Sequence, residues 1–293
     1  MFTYHTERPM LRLNALLSMT VLSLACGADG ATSGSPPVQQ AVPTPTPTTP
    51  TPTPTPTNAQ PGTFAKGTVS VRGAAYPYQV FVPKAYTQSQ KWPVILFVHG
   101  ANEKGSDGDK QVTGCFGPDV KARSATFPAI AVFPQIPQGE NLVPAARFEI
   151  ITASLDAVMK EYAGDPTRVY LTGFSMGGGM GYELAFRDTT RFAAFAPVSA
   201  MLYDRGILGA ATEQPVGSAN AVTAARLRTL PMWVFHGTND AFVNISIPRA
   251  MIQAFRSAGA TALQYTEIQG GSHDCGTAYS SQAFYNWMFA QHR

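Results

Sequence analysis

One short run narrows what this chain can fold into more than any other. It is the apolar segment RVYLT, then Gly173-Phe174-Ser175-Met176-Gly177-Gly178-Gly179, then the helix-forming MGYELAFRD. A strand that turns at once into a helix through G-x-S-x-G is a nucleophile elbow in the setting its mechanics require. Such a turn forces its serine into a strained backbone conformation, so Gly173 and Gly177 stand where chain must pass close to chain. The strain lifts the Ser175 hydroxyl clear of the sheet and sets the Met176 amide beside it. The helix N-terminus there favours developing negative charge. The bare pattern is weak, because small residues are common. The strand before it and the helix after it make it specific, against the plainer reading of a glycine-rich turn with an incidental serine.

A serine hydroxyl is a poor nucleophile alone, so a base and an orienting acid should follow in the chain order Ser, Asp/Glu, His. Among five histidines, His5 lies near the N-terminus and His292 is penultimate. His99 and His236 each sit in a strand-end His-Gly and precede the acid position. His273, in GGSHD after the last strand, has the expected location. The strand MWVFHG runs into Thr238-Asn239-Asp240, which places Asp240 one strand earlier as the acid that holds the imidazole tautomer. Asp274 should serve its own loop, and Glu267 is a distant alternative. The oxyanion hole needs two amides. One is Met176, and the other comes from the loop after the third strand, with Ala101 as donor and Asn102 a close competitor. His99 is expected to brace that loop.

Around the elbow, strands and helices alternate. Candidate strands are Gly67–Val71, Tyr76–Val82, Pro93–Val98, Ala129–Phe133, Arg168–Thr172, Ala193–Val198, Met232–His236 and Gln264–Ile268. Several, such as VILFV and IAVF, are apolar throughout, as parallel strands covered on both faces must be. The first two alternate more and read as an antiparallel edge hairpin. Helical periodicity marks Phe148–Tyr162, Ile247–Ala258 and Ser280–Gln291, whose aromatics are expected in the core. The fold class is therefore α/β, a mostly parallel sheet of about eight strands with helices on both faces and the site at the strands' carboxyl ends.

FVHGAN, FPAIAVFPQ, the run from Asp165 through the elbow to Ala200, WVFHGTND and GGSHDCGTAY together resemble the α/β-hydrolase superfamily. Within it the likeness is to bacterial esterases and predicted peptidases related to prolyl oligopeptidase and dienelactone hydrolase. Feruloyl-esterase-like and polyhydroxybutyrate-depolymerase-like proteins are similar too. The resemblance covers nearly all of residues 75–290 and implies the eight-stranded sheet and the same triad. Residues 201–230, where such families insert lids, are short and Ala-rich, so substrate choice stays open. Candidate pocket residues are Phe174, Asn102, Tyr203 and Phe242, with Met201, Leu202 and Ala241 beside them. Each is individually more apt for packing than for recognition.

The N-terminal region reads as address and tether. Arg8 and Arg12 precede the apolar run Leu13–Ala25, the pattern of an export signal, and it is cleaner still if Met10 is the initiator. LSLAC ending at Cys26 resembles a lipobox, although Ser23 stands where leucine is expected. Lipidation at Cys26 with membrane attachment and ordinary cleaved secretion are the two readings. Residues 27–62 form a spacer, and ten of the chain's 24 prolines lie between Pro36 and Pro61. Repeated Thr-Pro favours extended polyproline II, with a reach of roughly 80 Å. Residues 63–293 are then the catalytic domain, and Cys115 and Cys275 in an exported domain are a candidate disulfide, with two free thiols as the alternative.

Lys and Arg exceed Asp and Glu by only 21 to 18, and no basic run occurs, which argues against nucleic acid as a partner. No metal-ligand spacing, phosphate loop or dinucleotide fingerprint is present, so the expected chemistry needs neither metal nor cofactor. The expectation is an exported serine hydrolase of carboxylic esters, acting on acyl or feruloyl polysaccharide esters or polyesters. A peptidase is the enzymatic alternative, and a non-catalytic surface-binding protein on a hydrolase scaffold the alternative of another class. Composition leaves the oligomeric state open.

Overall fold

The structure is a computed structural model, and it describes residues 58–139, 144–202 and 217–293. The expected signal, lipobox cysteine Cys26, most of the spacer and the pocket candidate Tyr203 lie outside the described residues. Residues 58–62, ahead of the expected boundary at residue 63, already contact the domain. The Asn58 amide donates to Glu161 Oε1 at 2.9 Å, the Ala59 amide to the Tyr162 hydroxyl at 2.9 Å, and the Gly62 amide to the Val82 carbonyl at 2.8 Å. Residues 58–62, assigned to the spacer by composition, are bonded to the domain because their amides find acceptors there.

Eight strands form one sheet: β1 (Phe64–Val71), β2 (Ala74–Phe81), β3 (Trp92–Val98), β4 (Ile130–Pro134), β5 (Gly164–Phe174), β6 (Ala194–Val198), β7 (Met232–Gly237) and β8 (Leu263–Ile268). Their order is β1-β2-β4-β3-β5-β6-β7-β8. β1 pairs antiparallel with β2, and β2 with β4, and every other pairing is parallel. The edge hairpin turns at Arg72 (φ 51°) and Gly73 (φ 82°), the two positive values that a two-residue hairpin turn compatible with strand twist demands. The helices are α1 (Phe116–Ala122), α2 (Pro144–Glu161), α3 (Met176–Arg187), α4 (Gly217–Leu227), α5 (Ser246–Ser257), α6 (Gly276–Tyr279) and α7 (Gln282–Phe289). Sequence periodicity marked α2, α5 and α7.

Alternation along the strands divides the core in two. Val94, Leu96 and Val98 of β3 point to a cluster with Leu155 of α2, Met180 and Leu184 of α3, and Ile252 and Phe255 of α5. Ile95 and Phe97 point the other way, to Phe116 of α1, Tyr279 of α6 and Phe284 of α7. A side chain period of two on strands covered from both sides requires apolar residues at every position, which is why all seven residues of β3 are buried. The second cluster is aromatic: Phe97, Phe116, Phe133 and Tyr279 pack with ring centroids 5.4 to 5.8 Å apart. This is the α/β-hydrolase arrangement that the sequence implied.

Candidate active site

β5 ends at Phe174 and α3 begins at Met176, so Ser175 alone makes the turn. Its φ of 53° and ψ of −117° lie where an L-residue is strained, a cost of about 1–3 kcal/mol that the surroundings must hold in place. The Ser175 amide donates to the Val198 carbonyl at 3.0 Å, and the Gly179 amide to the Ser175 carbonyl at 3.0 Å. The two glycines flanking the serine have no room for a side chain. A Cβ at Gly173 would stand 2.6 Å from the backbone of Gly177, and one at Gly177 would stand 2.0 Å from the Val98 carbonyl oxygen. The same close approach lays the end of β3 against the first turn of α3.

Ser175, Asp240 and His273 come together although they are far apart in sequence. His273 Nε2 is 2.9 Å from Ser175 Oγ, and His273 Nδ1 is 2.7 Å from Asp240 Oδ2. Asp240 Oδ1 accepts the amides of Phe242 at 2.9 Å and Val243 at 2.8 Å. The Asp240 carboxylate is wholly buried, so it can only accept from Nδ1–H of the imidazole, which leaves Nε2 as a lone pair facing the serine hydroxyl. Ser175 itself is partly exposed, which gives a substrate access to Oγ. Glu267 is taken up elsewhere, bonded twice to Arg249 at 2.7 Å. Asp274 serves its own loop: its Oδ1 accepts the Gly276 amide, and its carbonyl accepts the Ser199 hydroxyl at 2.8 Å.

Met176 is the first residue of α3 and Ala101 the first of a short 3₁₀ turn (Ala101–Glu103). First-turn amides have no acceptor within their own helix, so both can turn to a ligand. The loop carrying Ala101 and the exposed Asn102 is held by His99. Its Nε2 accepts the Ile136 amide at 2.9 Å, and Nδ1 lies 2.6 Å from the Gly100 carbonyl. Accepting from an amide requires the neutral ring, and burial lowers the His99 pKa from 6.5 to about 4. The unfolded chain therefore binds this proton first as pH falls, and the fold loses stability from about pH 6.5 downward until the folded group titrates near 4. Urea unfolding at pH 7 and pH 4.5 is expected to show a loss of roughly 2–3 kcal/mol from this group, and His99→Gln should flatten that slope.

Two aromatic rings flank the imidazole. Phe174 lies 4.9 Å and Phe242 5.1 Å from the His273 ring, centroid to centroid. Phe242 is 79% exposed, the more exposed of two large apolar side chains that face solvent among the described residues. Leu202, in contrast, is buried in the core, and Met201 is half-buried. The disulfide between Cys115 and Cys275 is present, with Cα atoms 5.5 Å apart. It ties the chain entering α1 to the loop carrying His273. One neighbour of Asp240 escaped the sequence reading: His236, whose Nε2 is 3.3 Å from Oδ2. Its four-residue spacing from Asp240 was visible, but the turn that folds one back on the other was not.

Known proteins resemble this chain in sequence and in fold. The Esterase family model matches residues 71–291, three quarters of the chain. The chain belongs to the Esterase family. It is similar, at 27% identity over 188 residues, to the bifunctional acetylxylan esterase/xylanase XynS20E of Neocallimastix patriciarum, covering 63% of this chain and 24% of that protein. It is also similar to "Probable feruloyl esterase C" of Aspergillus clavatus, at 26% identity over 143 residues, covering 47% and 50%. This Esterase-family chain thus spans about a quarter and a half of the lengths of these relatives. Among solved structures, a thermostable esterase shares 27% identity with a TM-score of 0.64, covering 78% of this chain and 63% of that one. A ferulic acid esterase matches in fold at 21% identity and a TM-score of 0.60, covering 77% and 96%.

Proposed function

We propose that this Esterase-family chain is an exported serine hydrolase of carboxylic esters. The observation that carries this reading is the unbroken line from Ser175 Oγ through His273 to the buried Asp240, at 2.9 and 2.7 Å. In the proposed reaction His273 Nε2 takes the hydroxyl proton as Oγ bonds to the ester carbonyl carbon. The carbonyl oxygen becomes an oxyanion held by the Met176 and Ala101 amides. As the intermediate collapses, the ester C–O bond breaks and the departing alkoxide takes the proton from His273. Water then repeats the sequence on the acyl-enzyme, its proton passing to His273 and back to Ser175, and a carboxylic acid leaves.

For the substrate, the relatives' names point to acetylxylan and to feruloyl esters, and we extend this to acyl and feruloyl esters on polysaccharide. Phe174 and Phe242 beside His273 offer flat apolar surface to an acyl or aryl group. Export is supported by the Arg8/Arg12 and Leu13–Ala25 pattern, by the Thr-Pro spacer, and by a disulfide that an oxidising compartment would preserve. Cys26 is the proposed attachment point of an envelope-anchored form.

A panel of 4-nitrophenyl acetate, methyl ferulate, acetylated xylan and a peptide anilide tests the reading. The esters are expected to be cleaved and the anilide left intact. Cleavage of the anilide with the esters untouched would overturn the ester assignment in favour of a peptidase.

A further inference from the structure

His236 lies near the end of β7, four residues before Asp240, and none of its surface is exposed. Its Nε2 is 2.8 Å from the Val243 carbonyl and 3.3 Å from Asp240 Oδ2. A carbonyl only accepts, so Nε2 carries the proton and Nδ1 is a bare lone pair. Nδ1 is buried and has no hydrogen-bond partner among the described residues. A second proton there would be a buried donor with nothing to meet, and burial accordingly pushes the His236 pKa below its ordinary 6.5. The groups facing it are Asp240 from the following turn, His273 from the loop after β8, and Glu267 from the register-paired position on β8. Glu267 is already committed to Arg249.

These contacts close a ring. The Val243 carbonyl receives the His236 N–H, and the Val243 amide donates to Asp240 Oδ1 at 2.8 Å. Asp240 Oδ2 then stands between His236 Nε2 at 3.3 Å and His273 Nδ1 at 2.7 Å. We propose that His236 is a positioning residue for the triad, its single N–H securing the turn that carries Asp240 and placing partial positive charge beside Oδ2. The carboxylate is thereby aimed at His273, and its hold on the imidazolium proton is moderated. His236 touches no substrate and moves no proton. The proposal rests on reading Ser175, His273 and Asp240 as the catalytic set.

Two substitutions test it. His236→Phe keeps the ring volume without an N–H, and His236→Gln returns an amide N–H close to the place of Nε2. With 4-nitrophenyl acetate, H236F is expected to lower kcat by about ten- to hundredfold while KM stays within about twofold. Its acid limb in kcat/KM should move to higher pH, because an unmoderated carboxylate holds the His273 proton more firmly. H236Q is expected to recover most of kcat and the wild-type limb. A role in packing alone would lower the melting temperature of both variants and leave kcat and the acid limb unchanged. That result overturns the proposal, as does an H236Q no better than a folded H236F. Should H236F not fold, His236→Asn takes its place, its amide one methylene too short. Folded H236N with wild-type kcat and acid limb overturns the proposal, and a lowered kcat with a raised limb supports it. Ser175→Ala run alongside separates the two levels. Near-wild-type turnover there overturns the catalytic reading and this proposal together, whereas Ser175-dependent turnover indifferent to H236F overturns this proposal alone.

Discussion

Ser175→Ala is expected to lower ester turnover by about 10⁴-fold or more while the protein unfolds at nearly its normal temperature. The alanine keeps the φ of 53° at the elbow and loses only the contact with His273 Nε2. The backbone amides of Met176 and Ala101 stay in place, so residual rate above water should persist. Residues that act as a unit lose activity non-additively. His273→Ala should therefore cost about as much as Ser175→Ala, and the double variant little more. Asp240→Ala should cost somewhat less in rate but more in stability. Its Oδ1 caps the amides of Phe242 and Val243, and removing it leaves buried donors unmet. Steady-state kinetics with 4-nitrophenyl acetate and a thermal melt on each variant check this pattern.

The second large effect concerns the disulfide. Cys115 and Cys275 are 160 residues apart in sequence, so the bond closes most of the domain into one loop. In the chain-entropy account, opening a loop of that length costs up to about 5 kcal/mol, and loss of native disulfides costs roughly 2–5. Replacing both cysteines with alanine is thus expected to lower the melting temperature by on the order of 10 °C. Reductant should do the same to the wild type and nothing to the variant. An effect on turnover should follow, because Cys275 is two residues beyond His273 and immediately precedes α6. The paired loops would separate, and kcat should fall several-fold below the melt. An unchanged midpoint in both tests would remove the bond from any structural role.

Most of the frame was legible in the sequence because buried parallel strands must be apolar at successive positions. VILFV and IAVF could be little else, and the antiparallel hairpin showed itself by alternating. β5 runs back to Gly164 because that glycine pairs with Trp92 across a register shift, a partnership no local pattern announces. α1 was missed since Phe116–Ala122 holds a glycine and a proline in seven residues. It is a helix because Phe116 is buried among aromatic rings and Cys115 is tied to Cys275. α4 (Gly217–Leu227) was hidden in a stretch read only as Ala-rich. At the site, chain order and strand ends were enough to name Ser175, Asp240 and His273 as neighbours. The backbone geometry of the turn after β7 was not readable, and with it went the contact of His236 on Asp240. Phe174 and Phe242 were named as pocket candidates, yet their contact with one imidazole needed coordinates.

The central claim is that Ser175 is the nucleophile. It is tested most directly by treating the intact protein with a fluorophosphonate and mapping the adduct by peptide mass spectrometry. The account predicts one equivalent of label, on the peptide containing Gly173-Phe174-Ser175, lost in Ser175→Ala. A folded protein that takes no label, or takes it on another residue, would contradict it.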